Sequence, residues 1–225
     1  MYTKGIEGTP AVRFTLLFIK WSLIVIGAYF IFAMTVVRLI RHFYQFPIPS
    51  FFTPLIDNPI RRRIQPPKVI AEWMGVGRGM SILEIGPGRG TYTFEVAKKV
   101  GAEGHVYAID IQEPVVSALC ERIEKRVVDN ISVRQASAYE LSFPHEMFDR
   151  VFMITVLGEI PDKRQALSEF KRVLRSDGLL AIGEFLPDPD YPRKSTVIGW
   201  CREAGFELSG RYGNFMHYLL TFKKT

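Results

Sequence analysis

The sequence is poor in the residues that build disulfide frameworks and metal centres. Its 225 residues include two cysteines, Cys120 and Cys201, and four histidines. The cysteines stand in separate segments, no C-x-x-C pair is present, and the histidines do not cluster. Neither a disulfide scaffold nor a metal site is therefore indicated, and a reducing cytosol fits this composition. Internal repeats and low-complexity tracts are also missing.

Acidic residues are fewer than basic ones, and the resulting positive charge narrows the class of partner. The net charge is +6 and the apolar fraction is 48%, which is enough for a sizeable core. A basic chain of this kind suits nucleic acid or the anionic face of a lipid bilayer. The basic residues gather after a long apolar run, and no nucleic-acid recognition motif accompanies them. The membrane is therefore the expected partner.

That apolar run lies near the N-terminus and predicts a transmembrane helix. No charged side chain occurs from Trp21 to Val37, and seventeen helical residues span about 26 Å. Lys20 and Arg38 can extend this length by snorkelling. A cleaved signal peptide is the alternative, but the run is longer than an h-region and no small-x-small cleavage site follows. More basic residues follow the run than precede it, so we expect a single-pass protein whose C-terminal part faces the cytoplasm.

The next segment, 43–67, is rich in aromatics and prolines and lacks helical periodicity. We expect an irregular segment near the lipid headgroups, either a membrane-facing lip that admits an apolar substrate or a plain linker. Its basic cluster, Arg61 to Arg63, can meet an anionic headgroup or serve as a positive-inside signal. The expected division of the chain is a tail and transmembrane helix at 1–42, an interfacial linker at 43–67 and a globular domain at 68–225.

From Lys68 onward, short apolar runs alternate with amphipathic stretches, which predicts a Rossmann-like α/β fold. The last two strands are separated by the turn Gly213-Asn214, so an antiparallel hairpin should end a mostly parallel seven-stranded sheet. The predicted strands are 81–85, 105–110, 131–135, 150–155, 179–184, 207–212 and 217–222, and the predicted helices are 67–74, 91–100, 114–125, 163–174 and 196–204.

A glycine-rich turn follows the first strand and carries the strongest functional signal. Gly86-Pro87-Gly88-Arg89-Gly90 permits a sharp turn and lets backbone N–H groups approach a ligand. Asp110 ends the next strand, twenty residues after Gly90, at the spacing that lets a carboxylate bind both hydroxyls of a ribose. The two features together predict a nucleoside-containing cofactor.

The spacing of the glycines distinguishes between cofactors. A dinucleotide fingerprint requires glycine or alanine where this chain has Thr91, which counts against a nicotinamide-dependent reductase. Glu84 lies in the strand, two residues before the first glycine. A carboxylate there suits a ligand with ammonium and sulfonium charges better than a pyrophosphate. S-adenosylmethionine is therefore the expected cofactor.

The chain from Arg61 to Thr225 resembles a class I S-adenosylmethionine-dependent methyltransferase of the group that contains the ubiquinone and menaquinone C-methyltransferases. The resemblance implies that the glycines of the turn line the methionine portion and that Asp110 holds the ribose. In such relatives an aspartate commonly binds the adenine amino group, whereas here Ser137 stands in its place and can still accept one hydrogen bond. The motifs that carry the resemblance are 82–90, 107–110, 148–152, 156–162, 174–179 and 199–208. The expected cofactor-binding residues are Glu84, Gly86, Pro87, Gly88, Gly90, Asp110, Ile111, Ser137 and Ala138.

Methyl transfer from a sulfonium needs alignment and exclusion of water, and a base is needed only when the acceptor loses a proton. Glu159, after the fourth strand, is the first candidate for that base, and Tyr139 is the second. Glu159 is otherwise a helix-start carboxylate, and Tyr139 a wall of the pocket. His217 opens the last strand, where a structural role is the simpler interpretation. No metal is required.

Three functions remain open on the sequence. The first is a methyltransferase for a membrane-resident lipid or quinone-like acceptor. The second is a methyltransferase for a soluble small molecule or protein, with the helix as a tether. The third is a cofactor-binding membrane adaptor without catalysis, which the serine at position 137 makes conceivable. One cofactor scaffold serves many acceptors, so the fold itself does not select among these functions. The predicted membrane span favours the first.

Overall fold

A computed structural model describes residues 10–43 and 57–225 of the chain. The chain divides into two compact units, Met1–Tyr44 and Gln45–Thr225, each described here by itself. The aromatic residues between 44 and 56, which carried the proposed membrane-facing lip, lie outside the described residues.

The described part of the first unit is one long helix, α1, Pro10–Phe43. Its 34 residues correspond to about 51 Å of helix and contain the apolar run from Trp21 to Val37. The window Val12–Tyr29 has a mean hydropathy of 1.6 and none of it is buried. Among the described helices, α1 is therefore the one long and apolar enough to cross a membrane, by length and composition.

The second unit is a seven-stranded sheet with helices packed on it, as the sequence predicted. The short helices α2 and α3, Pro59–Ile64 and Pro67–Trp73, precede the sheet. The remaining helices are α4, Thr91–Val100; α5, Glu113–Arg126; α6, Lys163–Val173; and α7, Lys194–Glu203. The strands are β1, Ser81–Ile85; β2, His105–Asp110; β3, Ile131–Gln135; β4, Phe148–Ile154; β5, Leu174–Phe185; β6, Phe206–Gly213; and β7, His217–Lys224.

The order of the strands is β3-β2-β1-β4-β5-β7-β6. The first five are parallel, and β7 lies antiparallel between β5 and β6, which confirms the predicted C-terminal hairpin. From the middle of the sheet, β2 and β3 follow β1 on one side, and β4 and β5 follow on the other side. The direction of the strand order therefore reverses between β1 and β4. Open α/β sheets bind ligands in the crevice at the carboxyl ends of the strands beside such a switch point.

Alternating residues of the central strands fill a core on each side of the sheet. Leu83 and Ile85 of β1 join one apolar cluster with α6 and α7, whereas Ile82 joins a second cluster with α3 and α4. This period-two alternation fixes the register of β1, because a shift by one residue would exchange its two faces. The rigid sheet thereby sets where the turns after β1, β2 and β4 begin.

The structure corrects two local predictions. The segment 57–67 is not wholly irregular, because the side chain of Asn58 accepts hydrogen bonds from the N–H groups of Ile60 and Arg61 and begins helix α2. The fifth strand, predicted at 179–184, begins at Leu174, because Leu174 already pairs with Phe148 and a register shift lets β5 continue from there.

Candidate active site

A cavity of about 320 Å³ opens at the carboxyl ends of β1, β2 and β4. This is the switch point of the sheet, and the volume lies at the lower end of the range for small-molecule sites. The cavity is lined by 57, 61, 85–89, 91–92, 109–112, 115, 136–139, 154–156, 159–161 and 188.

The glycine-rich turn lines this cavity, and two of its glycines, Gly86 and Gly90, have no room for a side chain. A Cβ atom on Gly86 would lie 2.5 Å from Cγ2 of Val156, and one on Gly90 would lie 2.6 Å from Cδ1 of Leu119. Both glycines also have positive φ values, 69° and 79°. Backbone atoms are therefore exposed to a ligand at the turn, directly before α4 begins.

The ribose and adenine end of the predicted site is assembled from the turns after β2 and β3. Asp110 lines the cavity, and its Oδ1 accepts the N–H of Gln112 at 2.9 Å. Burial raises the pKa of the Asp110 carboxyl, while N–H groups of Gln112 and Ile111 oppose the rise. Ser137 lies across the same cavity, where its Oγ accepts the N–H of Tyr139 at 3.2 Å and keeps further hydrogen-bonding capacity.

Seven of the nine expected cofactor residues line the cavity; Gly90, at the end of the turn, and Glu84 do not. Glu84 is the more informative exception. Its side chain is 2% exposed and its Oε2 has no hydrogen-bond partner within the described residues. Burial, with a smaller contribution from Asp110, raises the pKa of Glu84 to about 8. The carboxyl group therefore holds its proton more tightly than an ordinary carboxylate does. Its expected role beside the cofactor stays a prediction.

Two residues upstream of the sheet, Asp57 and Arg61, also line the cavity and were not expected there. Oδ2 of Asp57 accepts a 2.5 Å hydrogen bond from Thr91, at the start of α4, and Arg62 pairs with both carboxylate oxygens. Burial opposes ionisation of Asp57, but Arg62 and Thr91 outweigh it and lower its pKa. The sequence signal for this segment is Asn58-Pro59, an N-cap residue followed by proline at the first helical position.

The base candidates differ in their placement. Glu159 lines the cavity from a short 3-10 turn, Leu157–Glu159, after β4. Tyr139 also lines it, but its hydroxyl accepts the N–H of Asp162 at the start of α6, which favours a wall residue. His217 is 6% exposed, stacks on the ring of Trp73 and does not line this cavity. The geometry leaves Glu159 as the better placed of the two candidate bases, Glu159 and Tyr139.

A second group of carboxylates lies beside Glu159 and was not anticipated. Asp188 is 8% exposed and lines the cavity, and Glu184 is 1% exposed at the end of β5. Burial raises the pKa of Glu184 well above its ordinary value; the nearby Asp188 adds to this and Arg61 opposes it. Carboxyl groups whose pKa values are perturbed by burial and by one another are typical of functional sites.

The residues present fit a nucleoside cofactor with an amino-acid arm. The backbone of Gly86 and Gly88 lines the cavity with no side chain of its own, and the Asp110 carboxylate stands at the end of the adjacent strand. Residues 10–43 and 57–225 contain no group of three or more histidine, cysteine or acidic side chains that could hold a metal ion. The fold and this cavity define an open α/β protein that binds such a cofactor at its switch point.

Comparisons with known proteins narrow that class. Residues 77–203 match a family model described as a methyltransferase domain. The chain is 36% identical over 112 residues to the ubiquinone/menaquinone biosynthesis C-methyltransferase UbiE of Idiomarina loihiensis, covering 49% of this chain and 45% of that protein. It is 32% identical over 108 residues to the demethylmenaquinone methyltransferase of Listeria welshimeri, covering 48% and 46%. The chain thus spans about half the length of the curated relatives it matches.

Among solved structures, the fold matches that of a SAM-dependent methyltransferase from Aquifex aeolicus with a TM-score of 0.75. The two chains are 24% identical, and the match covers 80% of this chain and 100% of that one. Because the family model covers more than half of the sequence, this chain belongs to the methyltransferase-domain family. It is a class I member, and its cofactor is S-adenosylmethionine.

Proposed function

We propose that this protein transfers a methyl group from S-adenosylmethionine to a quinol-type hydroxyaromatic acceptor that resides in a membrane. The observation that carries the proposal is the continuous cavity that joins the Gly86–Gly90 turn and Asp110 to an apolar wall beyond β4. That wall includes Val156, Ile160 and Pro161, which suit an apolar ring. The quinone-related names of the relatives support the same acceptor class.

In this proposal, the described residues divide the cavity into a cofactor part and an acceptor part. Gly86, Pro87, Gly88 and Gly90 hold the methionine portion, Asp110 binds the ribose, and Ile111, Ser137 and Ala138 surround the adenine. The bound cofactor supplies a methyl group on a sulfonium sulfur, which keeps the electron pair of the broken C–S bond. The chain contributes alignment and exclusion of water, because the donor is already activated.

Methylation of a quinol ring carbon also requires removal of protons. In this proposal, the carboxylates beside the acceptor wall accept them. The new C–C bond forms as the C–S bond breaks, and the hydrogen replaced on the ring carbon leaves as a proton. Glu159 lines the acceptor part and is the base that we propose, with Asp188 beside it. Tyr139 serves in this scheme as a wall.

The test measures transfer of a labelled methyl group by the full chain in mild detergent under anaerobic conditions. Two probes are offered as acceptors, 2-prenyl-1,4-naphthohydroquinone and its dimethyl ether. We expect product with the quinol, and a rate about a hundredfold slower or more in Glu159→Gln, the lower bound for loss of a general base. Glu103→Gln, on the exposed loop before β2, is the matched control and should keep the wild-type rate.

Total membrane and soluble extracts supply the comparison with other acceptors. Label that enters only the soluble extract would exclude the membrane acceptor and favour the tethered-enzyme alternative. A chain that binds the cofactor but labels neither extract and neither probe would favour a non-catalytic adaptor. Labelling of an oxygen rather than a ring carbon would keep the acceptor class and change the atom methylated.

We further propose that α1 is an uncleaved single-pass anchor and that the second unit faces the cytoplasm. Its length and apolarity, together with the excess of basic residues after it, support this arrangement. The expected division into an anchor at 1–42, an interfacial segment at 43–67 and a catalytic domain at 68–225 is kept as a proposal with one change. We assign residues 57–67 to the catalytic unit, because Asp57 and Arg61 line its cavity.

A further inference from the structure

Arg61 is a buried arginine that the proposed reaction has not used. It lies on α2, sixteen residues before the family match begins at residue 77, and it lines the cavity while being 7% exposed. Arginine is seldom buried to this extent unless its charge is paired or meets a ligand.

The guanidinium of Arg61 is held from two sides. Its Nη2 donates to Oγ1 of Thr155 at 2.8 Å, and its Nε donates to Oε1 of Gln65 at 3.4 Å. Gln65 is itself fully buried and fixed by the hydroxyl of Tyr92 and by the carbonyl of Glu184. A guanidinium has five N–H donors, more than these contacts use. Arg61 is therefore oriented in advance and keeps donors for a ligand in the cavity.

Thr155, the partner of Arg61, has a backbone conformation that β-branched residues rarely adopt. Its φ is +58°, and it follows β4 directly at the cavity. Its hydroxyl donates to the carbonyl of Ile154 at 2.7 Å while it accepts from Arg61. Such conformations concentrate at ligand sites, where the surrounding structure holds them.

The neighbours of Arg61 place it beside the glycine turn. The bond from Thr91 to Asp57 joins the segment before α2 to the start of α4. Tyr92 also lines the cavity, and its hydroxyl donates to Oε1 of Gln65, the atom that also accepts from Nε of Arg61. Among the described residues that line the cavity, the second basic side chain is Arg89. Arg89 lies close to Arg122 of α5, because burial and then the charge of Arg89 lower the pKa of Arg122. Arg89 is therefore the alternative partner for an anion, and the test below includes it.

The cofactor carries one anionic group, the α-carboxylate of its methionyl arm, and this arm belongs at the glycine turn. Four acidic side chains, Asp57, Asp110, Glu159 and Asp188, line the same cavity and would repel a carboxylate. We propose that Arg61 binds the α-carboxylate of S-adenosylmethionine, which extends the cofactor site upstream of the family domain. This inference rests on the proposed function, because it requires S-adenosylmethionine in this cavity.

The test compares two ligands that differ by the amino-acid arm, S-adenosylhomocysteine and 5′-methylthioadenosine. Calorimetry of the full chain in mild detergent should show that Arg61→Gln weakens S-adenosylhomocysteine about tenfold or more, as expected for a lost charge-assisted hydrogen bond. The affinity for 5′-methylthioadenosine should change by less than about twofold, because that ligand has no carboxylate. Arg63→Gln, an exposed arginine on the same helix, is the matched control and should change neither affinity.

Two further variants keep the result interpretable. Arg61→Lys keeps the charge and should lose part of the affinity for S-adenosylhomocysteine alone. Thr155→Val removes the hydroxyl that orients Arg61 while nearly preserving shape, and it should produce a smaller loss with the same selectivity. The selective pattern in these variants supports the proposal even where Arg61→Gln does not fold.

Other outcomes overturn the inference. Equal losses for both ligands in the folded Arg61 and Thr155 variants would assign Arg61 a structural role. Unchanged S-adenosylhomocysteine affinity with slower methyl transfer would assign it to the acceptor. A selective loss in Arg89→Gln, with none in Arg61→Gln, would move the carboxylate to Arg89. If the wild-type chain binds neither ligand, the proposed function itself fails, which is a separate result.

Discussion

The carboxyl group of Glu84 is buried, and its protonation links the stability of the fold to pH. Its pKa is raised to about 8 in the folded chain, above the ordinary value of 4.5. The folded state therefore binds this proton more tightly than the unfolded state does. The stabilisation of the fold by this tighter proton binding is present in full below pH 4.5, and it is lost as the pH rises toward 8.

The expected result is that Glu84→Gln stabilises the protein at pH 8 and has little effect at pH 5. A neutral isostere avoids ionisation of the buried group, whose pKa shift corresponds to an upper limit of about 5 kcal/mol at about 1.4 kcal/mol per pKa unit. Thermal unfolding of the full chain without cofactor, at both pH values, measures the difference, which should exceed roughly 5 °C at pH 8. Glu103→Gln, an exposed control, should melt like the wild type at both. An equal effect of Glu84→Gln at pH 5 and pH 8 would contradict this account.

Whether a site residue could be predicted from the sequence depended on how its position is determined. Gly86 and Asp110 follow the ends of adjacent parallel strands, so their spacing along the chain was enough to bring them together. Arg61 reaches the cavity through contacts with Thr155, which is 94 residues away, and no local pattern encodes that pairing. The burial of Glu84 was equally hidden, because a lone carboxylate in a strand is usually assumed to face solvent or ligand.

At the scale of elements, two helices end in a residue with positive φ, and only one of these two residues is suited to that conformation. Helix α4 ends at Gly101 with φ +71°, where glycine carries no steric penalty. Helix α5 ends at Val127 with φ +53°, and this valine is 81% exposed. A β-branched residue in this conformation is strained, and its exposure means that little packing compensates for the strain.

Val127→Gly should therefore raise the stability of the catalytic unit by about 1 kcal/mol, whereas Gly101→Ala should lower it by a similar amount. A Cβ on Gly101 meets nothing closer than 3.5 Å, since its nearest neighbour is Nε of Arg78 at 3.7 Å. Backbone strain is then the main effect in both variants. Thermal unfolding of the full chain measures the two shifts, and shifts of the same sign would contradict the assignment.

The element boundaries that were missed share a physical cause. Helix α2 has six residues, fewer than two turns, so it cannot show an apolar period, and its start depends on the Asn58 cap. Strand β5 begins at Leu174, where α6 has just ended and the chain is already extended. The predicted strand, 179–184, leaves out the polar residues that follow, but pairing with β4 keeps them in the strand through a register shift. Longer periodic elements, such as α5, were predicted to within about two residues of each boundary.

At the scale of the whole molecule, the proposed membrane anchor would determine where the proposed reaction takes place. Its described side chains are exposed along the candidate span, with Phe14 73% and Tyr29 72% exposed, and such a surface is unstable in water unless lipid or protein covers it. A hydroxyaromatic acceptor with an apolar tail is held in the same bilayer. Tethering the catalytic unit there raises the effective concentration of the two partners without any new contact.

Charged substitutions in α1 test the proposed anchor directly. The full chain should sediment with membranes and resist extraction at alkaline pH, whereas Ile24→Lys combined with Phe32→Lys should release it. On insertion scales, a lysine at the centre of a span costs about 2.5–3.5 kcal/mol, and this span is short enough for two such changes to prevent insertion. The control combines Val127→Lys and Phe215→Lys, two exposed apolar residues of the second unit, and should stay in the membrane fraction.

The two cysteines report the orientation of the same chain. Cys201 is fully buried, and burial raises the pKa of its thiol, so it should react slowly, whereas Cys120 is partly exposed on α5. A membrane-impermeant maleimide should therefore label Cys120 in permeabilised cells and spare it in intact cells, and Cys120→Ser should abolish the signal. Labelling in intact cells would reverse the proposed orientation, and alkaline extraction of the unmodified chain would refute the anchor. The acceptor would then have to reach the cavity from solution, although the cofactor site would be unchanged.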